Sequence, residues 1–342
     1  MVTMQQIADA CGVSRGTVDR ALHSKPGIRP AVAAQIRDKA REMGYISARL
    51  MPAEVKKWKI GVVLHSGSSS FVQTLAAKLE HLPDSEVLPV EIVLRTMEGA
   101  DIQHQLALID ELVEFEHIDG LALMPLANSQ IREKINQLSE KNGIPVVTLN
   151  TDISDANRIA YIGPDNIASG RSAAALMALV TRESGHILPV IGQRSGHYAD
   201  SQRLTGFLSE MSEHYPDLKI LQPECCFLDD RLSERITARA IEADDKLTGI
   251  YITSVGRHGV ARALRQCGQQ GKIHVIMHDI TPTNLQFIRD GVADFVIGQD
   301  VETQGSKPIY VLYDYLSNRH MPEERVQITD ISIKFRCNIP EE

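Results

Sequence analysis

The sequence predicts an α/β chain, with doubly wound parallel sheets forming a large body behind a small all-α N-terminal unit. Three observations predict it. From residue 58 onward, short runs of Val, Ile and Leu alternate with amphipathic stretches, the rhythm of strands covered by helices on both faces. The first 45 residues instead carry three short helical patterns. Charge divides at the same place: residues 1–57 hold ten Lys and Arg against five Asp and Glu, and the remainder holds 26 against 39.

The totals bound the rest. At 342 residues the chain exceeds the roughly 250–300 at which single cores stop growing, so more than one domain is expected. With 43% hydrophobic and 23% charged residues, the composition is that of a globular protein. No apolar run approaches the roughly 18 residues of a membrane span, so no membrane partner is expected. The opening MVTMQQIADA lacks a basic segment followed by an apolar one, which points to a cytoplasmic protein. Five scattered cysteines without a CxxC pair read as reduced thiols.

In chain order, MQQIADAC forms a helix with Ile7, Ala8 and Cys11 on one side. Gly12 follows, where a tight turn needs positive φ. Ser14 is a good N-cap for a second helix, SRGTVDRAL. The spacing of Ala8, Gly12 and Val18 suits a close helix crossing, a turn and a β-branched plug between the helices. A third helix starts at Pro30, shows Val32, Ile36, Ala40 and Met43 on one face and stops at Gly44. Three helices with an exposed basic face make a helix-turn-helix unit over residues 1–46, and double-stranded DNA is the partner expected for it.

The stretch VTMQQIADACGVSRGTVDRALHSKPGIRPAVAAQIRDKAREMGY resembles the head of the LacI/GalR family of bacterial transcription repressors nearly residue for residue. The resemblance implies that the helix starting at Ser14 enters the major groove. Arg15 and Gly16 then lie at its start and Arg20 a turn later, and arginine can donate two hydrogen bonds to the O6/N7 edge of guanine. Gly16 leaves one of the family's reading positions empty, so Arg15 carries more of the sequence choice. Ser14 and Thr17 are placed for phosphates, as is Lys25. Asp19 replaces the family's serine; it orients Arg15 or Arg20, or accepts from a cytosine amine. Residues 47–57 form the hinge. In the family this stretch folds on DNA and wedges a leucine into the minor groove, a role for Leu50 or Met51 here. The segment is shorter than usual and contains Pro52, and a plain flexible linker is the alternative.

The body contains the strand-like runs IGVVLH (60–65), VEIVLR (90–95), GLALMP (120–125), PVVTLN (145–150), HILPVIG (186–192), GIYITS (249–254) and HVIMHD, which ends at Asp279. No GxGxxG, Walker or GxSxG motif appears, and the twelve histidines are dispersed without HExxH or HxH spacing. No enzyme, cofactor or metal is therefore expected.

The stretches DGLALMP, GIPVVTLNTD, IGPDNIASGRSAAALM, RLTGFLSEM and IGQDVETQG resemble the ligand-binding region of the same family, which looks like periplasmic sugar-binding proteins. That resemblance implies a periplasmic-binding-protein-like, two-lobed effector domain over residues 58–342. Its N-lobe would span about 58–162 plus 295–323, and its C-lobe about 163–294 plus 324–342. The chain would cross between them near 161–164, 292–297 and 322–328, with a cleft at the carboxyl ends of the strands. Placed there by resemblance are Ser70, Phe71, Asn150, Asp152, Arg203, Ser254, Asp279 and Gln299. Arginine and aspartate can hold vicinal hydroxyls by charge-assisted hydrogen bonds while an aromatic covers the ring face, so a sugar or polyol is the expected effector. Ser254 and Val255 depart from the Asn–Asp pair of many relatives. His65, His197, His258 and His278, with Arg194 and Arg257, fall at or near strand ends, and their charge suits a phosphorylated or acidic sugar as the alternative. The expectation is a homodimeric repressor on a palindromic operator, under allosteric control by its effector. The tail KFRCNIPEE shows no apolar heptads for higher assembly. A sugar-binding receptor without a DNA role is the other class.

Overall fold

The computed structural model describes residues 3–22, 28–29, 32–33, 35–36, 39–40, 43, 56–86, 88–182, 184–192 and 198–339. The chain forms two compact units, Met1–Lys57 and Trp58–Glu342.

In the first unit, helix Met4–Cys11 opens with a reciprocal cap: Thr3 accepts from the Gln6 N–H, and the Gln6 side chain accepts from the Thr3 N–H at 2.9 Å. Gly12 closes it at φ 65°, returning its N–H to Ala8 O. Helix Arg15–Leu22 follows at once, with the Thr17 N–H donating to Ser14 Oγ at 3.2 Å. Residues 32–33, 35–36 and 39–40 are helical as well. Ile7, Ala8, Val18, Ala21, Ala33, Ile36 and Ala40 form one buried cluster. Pro30 and Gly44, the expected bounds of the third helix, lie outside the described residues.

The second unit holds two sheets. The first comprises β1 (Trp58–Leu64), β2 (Val90–Thr96), β3 (Gly120–Leu123), β4 (Val146–Leu149), β5 (Ala160–Gly163) and β12 (Val326–Ile328). Its order is β12-β5-β4-β3-β1-β2, and every pairing is parallel. The second comprises β6 (His186–Ile191), β7 (Lys219–Ile220), β8 (Glu224–Cys225), β9 (Leu247–Ile252), β10 (His274–His278), β11 (Phe295–Gly298) and β13 (Ser332–Lys334). It runs β13-β11-β10-β9-β6-β7 with β8 also on β6, parallel except for β13.

Parallel strands are buried on both faces, which is why they read as unbroken apolar runs. On one face of the first sheet, helices Ser70–Glu86 and Lys307–Asn318 bring Leu75, Leu79, Ile309 and Leu312. On the other, helices Ile102–Glu114 and Ser129–Gln137 bring Ile109, Leu112, Ile131 and Ile135. Helices Asn166–Thr181 and Tyr198–His214 cover one face of the second sheet, and helices Asp230–Ala243, Arg257–Gln266 and Pro282–Arg289 the other. Among the described residues no helix is long and apolar enough to cross a membrane.

The pair 166–181 and 198–214 approaches closely at two glycines. A Cβ on Gly170 would stand 2.0 Å from Arg203 O, and one on Gly206 would stand 2.1 Å from Ile167 O. Only glycine permits that approach, and it fixes the helix that carries Arg203.

The chain crosses between the sheets after β5, after β11 and between β12 and β13. This differs from the lobe boundaries expected from sequence, which gave 295–323 to the N-lobe and 324–342 to the C-lobe. β11 pairs with β10 in the second sheet, and β12 pairs with β5 in the first. β11, buried along most of its length, completes its pairing with β10 before the chain leaves, so the second crossing falls at the polar Gln299–Asp300 step, with Asp300 at φ 50°.

Candidate functional site

Just beyond the carboxyl ends of β1, β4, β10 and β11 stand four non-glycine residues with positive φ: Ser66 (60°), Asn150 (61°), Asp279 (74°) and Asp300 (50°). Short polar side chains tolerate this conformation best, and such strain concentrates at ligand sites. Between the two sheets, at these strand ends, lies a cavity of about 280 Å³ lined by Ser66, Asn150 and Asp279 with Phe71, Arg203 and Gln299.

Arg203 is 3% exposed. Its Nε donates to Asn166 Oδ1 at 3.0 Å and its Nη1 to Thr253 O at 2.8 Å, so the guanidinium is held by the helix below and the end of β9. Asn150, Gln299 and Asp279 form a chain across the crossing. Asn150 Nδ2 donates to Gln299 Oε1 at 2.8 Å, and Gln299 Nε2 donates to Asp279 Oδ1 at 2.5 Å. Asn150 also donates to Gln304 Oε1 at 3.0 Å. Ser254 lines the cavity, and its buried Oγ has no hydrogen-bond partner among the described residues. A hydroxyl left so is costly unless something else meets it.

Three expectations need correction. Asp152 does not line the cavity: it is ion-paired with Arg158, whose Nε donates to Asp152 Oδ1 at 2.6 Å, and it accepts from Thr148 Oγ1 at 2.8 Å. Ser70 is also outside the lining, although its Oγ accepts from Arg257 Nη2 at 3.2 Å. His278 faces the core, with Nε2 2.8 Å from Tyr251 Oη. Burial, helped by the positive charge of Arg203, holds it well below the usual histidine range, so it adds no charge to the cleft. His65, His258 and Arg257 do line the cavity, His258 facing Asp230 at 3.3 Å. Phe71 lines it too while belonging to the first-lobe core. Arg194 and His197 lie outside the described residues.

In the N-terminal unit, Ser14, Arg15, Gly16 and Arg20 are exposed and Thr17 is half-buried. The Ser14 and Thr17 hydroxyls lie 2.8 Å apart, within bonding distance of each other. Lys25, Leu50 and Met51 fall outside the described residues.

Residues 60–320 match the periplasmic binding protein domain. The chain belongs to that family. Among similar proteins, the D-allose-binding periplasmic protein of Escherichia coli (strain K12) is 22% identical over 74% of this chain and 83% of its own. The HTH-type transcriptional regulator MalR of Streptococcus pneumoniae is 23% identical over 74% of this chain and 76% of its own. An ABC transporter solute-binding protein from Burkholderia graminis, solved in complex with D-arabinose, superposes with a TM-score of 0.76 at 21% identity, covering 83% of this chain and 98% of that one. At that identity the likeness concerns the fold.

Several lining residues of this periplasmic binding protein domain escape a reading of strand ends. Asp200, 1% exposed, sits one helical turn before Arg203 and accepts from Thr253 Oγ1 at 3.1 Å; that spacing was the available signal. Leu228 lines the cavity, and it and Phe227 both take positive φ, 63° and 49°. Nothing in their residue types announces that conformation. The only metal-compatible group found among the described residues, half-buried Glu210 with exposed Glu213 and His214, has both carboxylates bridged by Arg171.

Proposed function

We propose that this chain is a ligand-responsive transcriptional regulator that binds a palindromic DNA operator as a homodimer. In this reading a sugar or polyol held between the two lobes controls it. The observation that carries the reading is the pairing of two parts in one chain. One is a basic N-terminal unit whose Arg15–Leu22 helix presents Arg15 and Arg20 to solvent. The other is a periplasmic binding protein domain with a polar interlobe cavity.

In this reading residues 1–46 are a helix-turn-helix head, residues 47–57 a hinge, and the Arg15–Leu22 helix enters the major groove. Arg15 and Arg20 meet base edges, and Ser14, Thr17 and Lys25 meet phosphates. Leu50 is the hinge residue for the minor groove. Arg203, Asp279, Gln299, Asn150 and Ser254 take the effector's hydroxyls, and Phe71 its apolar face. The Asn150–Gln299–Asp279 chain spans the crossing, so a ligand that engages it favours one lobe arrangement over the other. Control requires unequal affinity for the two arrangements, since equal binding shifts nothing. The names of the relatives, binding proteins and regulators, support a role without catalysis, and a DNA role places the protein in the cytoplasm.

The test is selection of duplexes from a randomised library by the full chain, followed by gel shift between about 50 and 200 mM salt. Palindromic sites with steeply salt-dependent affinity are expected. If no duplex is retained at the low-salt end, the regulator reading fails and a ligand-binding receptor without a DNA role takes its place.

A further inference from the structure

We infer that the cleft takes an anionic ligand, a small polyhydroxy molecule bearing a carboxylate or a phosphate, and that Arg257 is the residue that recognises its charge. The inference rests on reading the cleft as the effector site and adds the ligand's chemical class.

Two arginines line the cavity, and both are buried, Arg203 at 3% and Arg257 at 9% exposure. Every hydrogen bond they make runs to a neutral oxygen. Arg203 donates to Asn166 Oδ1 and Thr253 O, and Arg257 donates to Ser254 O at 3.1 Å and Ser70 Oγ at 3.2 Å. Neither forms an ion pair among the described residues. Four more exposed arginines of the same unit, Arg95, Arg171, Arg262 and Arg265, each hold a carboxylate. A buried cation without a counterion costs several kcal/mol, so the pattern is reversed from what folding alone favours.

The carboxylates of the cavity are engaged elsewhere. Asp279 accepts from Gln299, Asp200 from Thr253, and Asp230 faces His258. They suit hydroxyl groups of the same ligand, which is why that ligand is polyhydroxy rather than a bare anion. Around Arg257 the lining supplies small donors: Ser254, with its unpartnered Oγ, and Ser68 and Ser69. Hydroxyls and a guanidinium are the donor set that carboxylate and phosphate oxygens accept from. Arg257 also reaches from the second lobe to Ser70 of the first. An anion bound there meets both lobes, which links its charge to their closure.

The test is calorimetric titration of the full chain with matched sets: D-glucose, D-gluconate, D-glucuronate and D-glucose 6-phosphate, and D-ribose, D-ribonate and D-ribose 5-phosphate. A charged member should bind where its neutral counterpart does not, and the acid and phosphate arms separate the two sources of charge. In Arg257→Gln that affinity should fall on the order of 30-fold or more, as when one partner of a buried charge pair is removed. Arg257→Lys should restore part of it. If Arg257→Gln does not fold, the wild-type ratio of charged to neutral affinity decides alone. A neutral sugar bound as well as its charged counterparts, or a charged member bound equally by wild type and Arg257→Gln, overturns the inference and leaves the cleft an effector site. Silence from every member, neutral and charged, overturns both.

Discussion

The N-terminal unit and the interlobe cleft each present arginines, in opposite ways. Arg15 and Arg20 stand in solvent on a helix whose packing is done by Val18 and Ala21, and the space around Gly16 is open. Arg203 and Arg257 are buried, and their N–H groups satisfy backbone and side-chain oxygens of the fold. In the first unit the fold and the proposed chemistry use different atoms. In the second they share them. Substitutions should therefore separate function from stability in the first unit and couple them in the second.

The largest effect is expected where the scaffold itself positions an arginine. Gly206→Ala places a methyl group 2.1 Å from Ile167 O and forces helices 166–181 and 198–214 apart. We predict a loss of about 3 kcal/mol in urea unfolding, typical of overpacking at a site that cannot relax, together with loss of effector binding as Arg203 moves. A variant with wild-type stability would mean that the two helices tolerate separation and that Arg203 is not held by their contact. Arg203→Ala comes next. It strands Asn166 Oδ1 and Thr253 O, at a cost of about 1–3 kcal/mol, and should abolish the effector response in gel shifts while operator affinity without effector is kept. An unaltered response removes Arg203 from the site.

These two sites also divide what the residues disclose from what they hide. Gly170 and Gly206 sit in stretches that mark the chain's family resemblance, and the close helix approach supplies the physical reason. The strand runs are equally legible, because burial on both faces demands Val, Ile and Leu throughout. Sheet membership is not legible in the same way. Whether β11 completes the first or the second sheet depends on which distant strand it meets, and VIG reads the same in either place. Asp152 and Asp279 illustrate the limit for side chains. Both follow an apolar strand, yet Arg158 captures one, while Gln299 turns the other toward the cavity. His278 likewise looks like a strand-end residue until Tyr251, 27 positions earlier, is found bonded to its ring.

In the N-terminal unit the expected effects are smaller and one-sided. Arg15→Ala should relax base choice at one operator position by about 1–3 kcal/mol while leaving the melting temperature unchanged. The unchanged melting temperature follows from Arg15 being exposed and from Ile7, Val18 and Ile36 making the core without it. A panel of single-base operator variants reads the first quantity and thermal unfolding the second. A stability loss with unchanged base preference would invert the comparison, making Arg15 a structural residue.

Gly16→Ala carries the smallest effect and the sharpest contrast with Gly206. The two glycines are both helical, but a Cβ at Gly16 meets nothing nearer than Ser14 Oγ at 3.9 Å. Packing therefore does not require glycine there, and neither does backbone conformation, since φ at Gly16 is not positive. Alanine should stabilise the unit by about 0.5–1 kcal/mol, because glycine loses more backbone freedom when a helix forms. If that gain comes with unchanged operator affinity, the glycine is merely tolerated. If affinity falls while stability rises, the backbone at residue 16 approaches the DNA too closely for a side chain, and an empty reading position becomes a contact made through the absence of one.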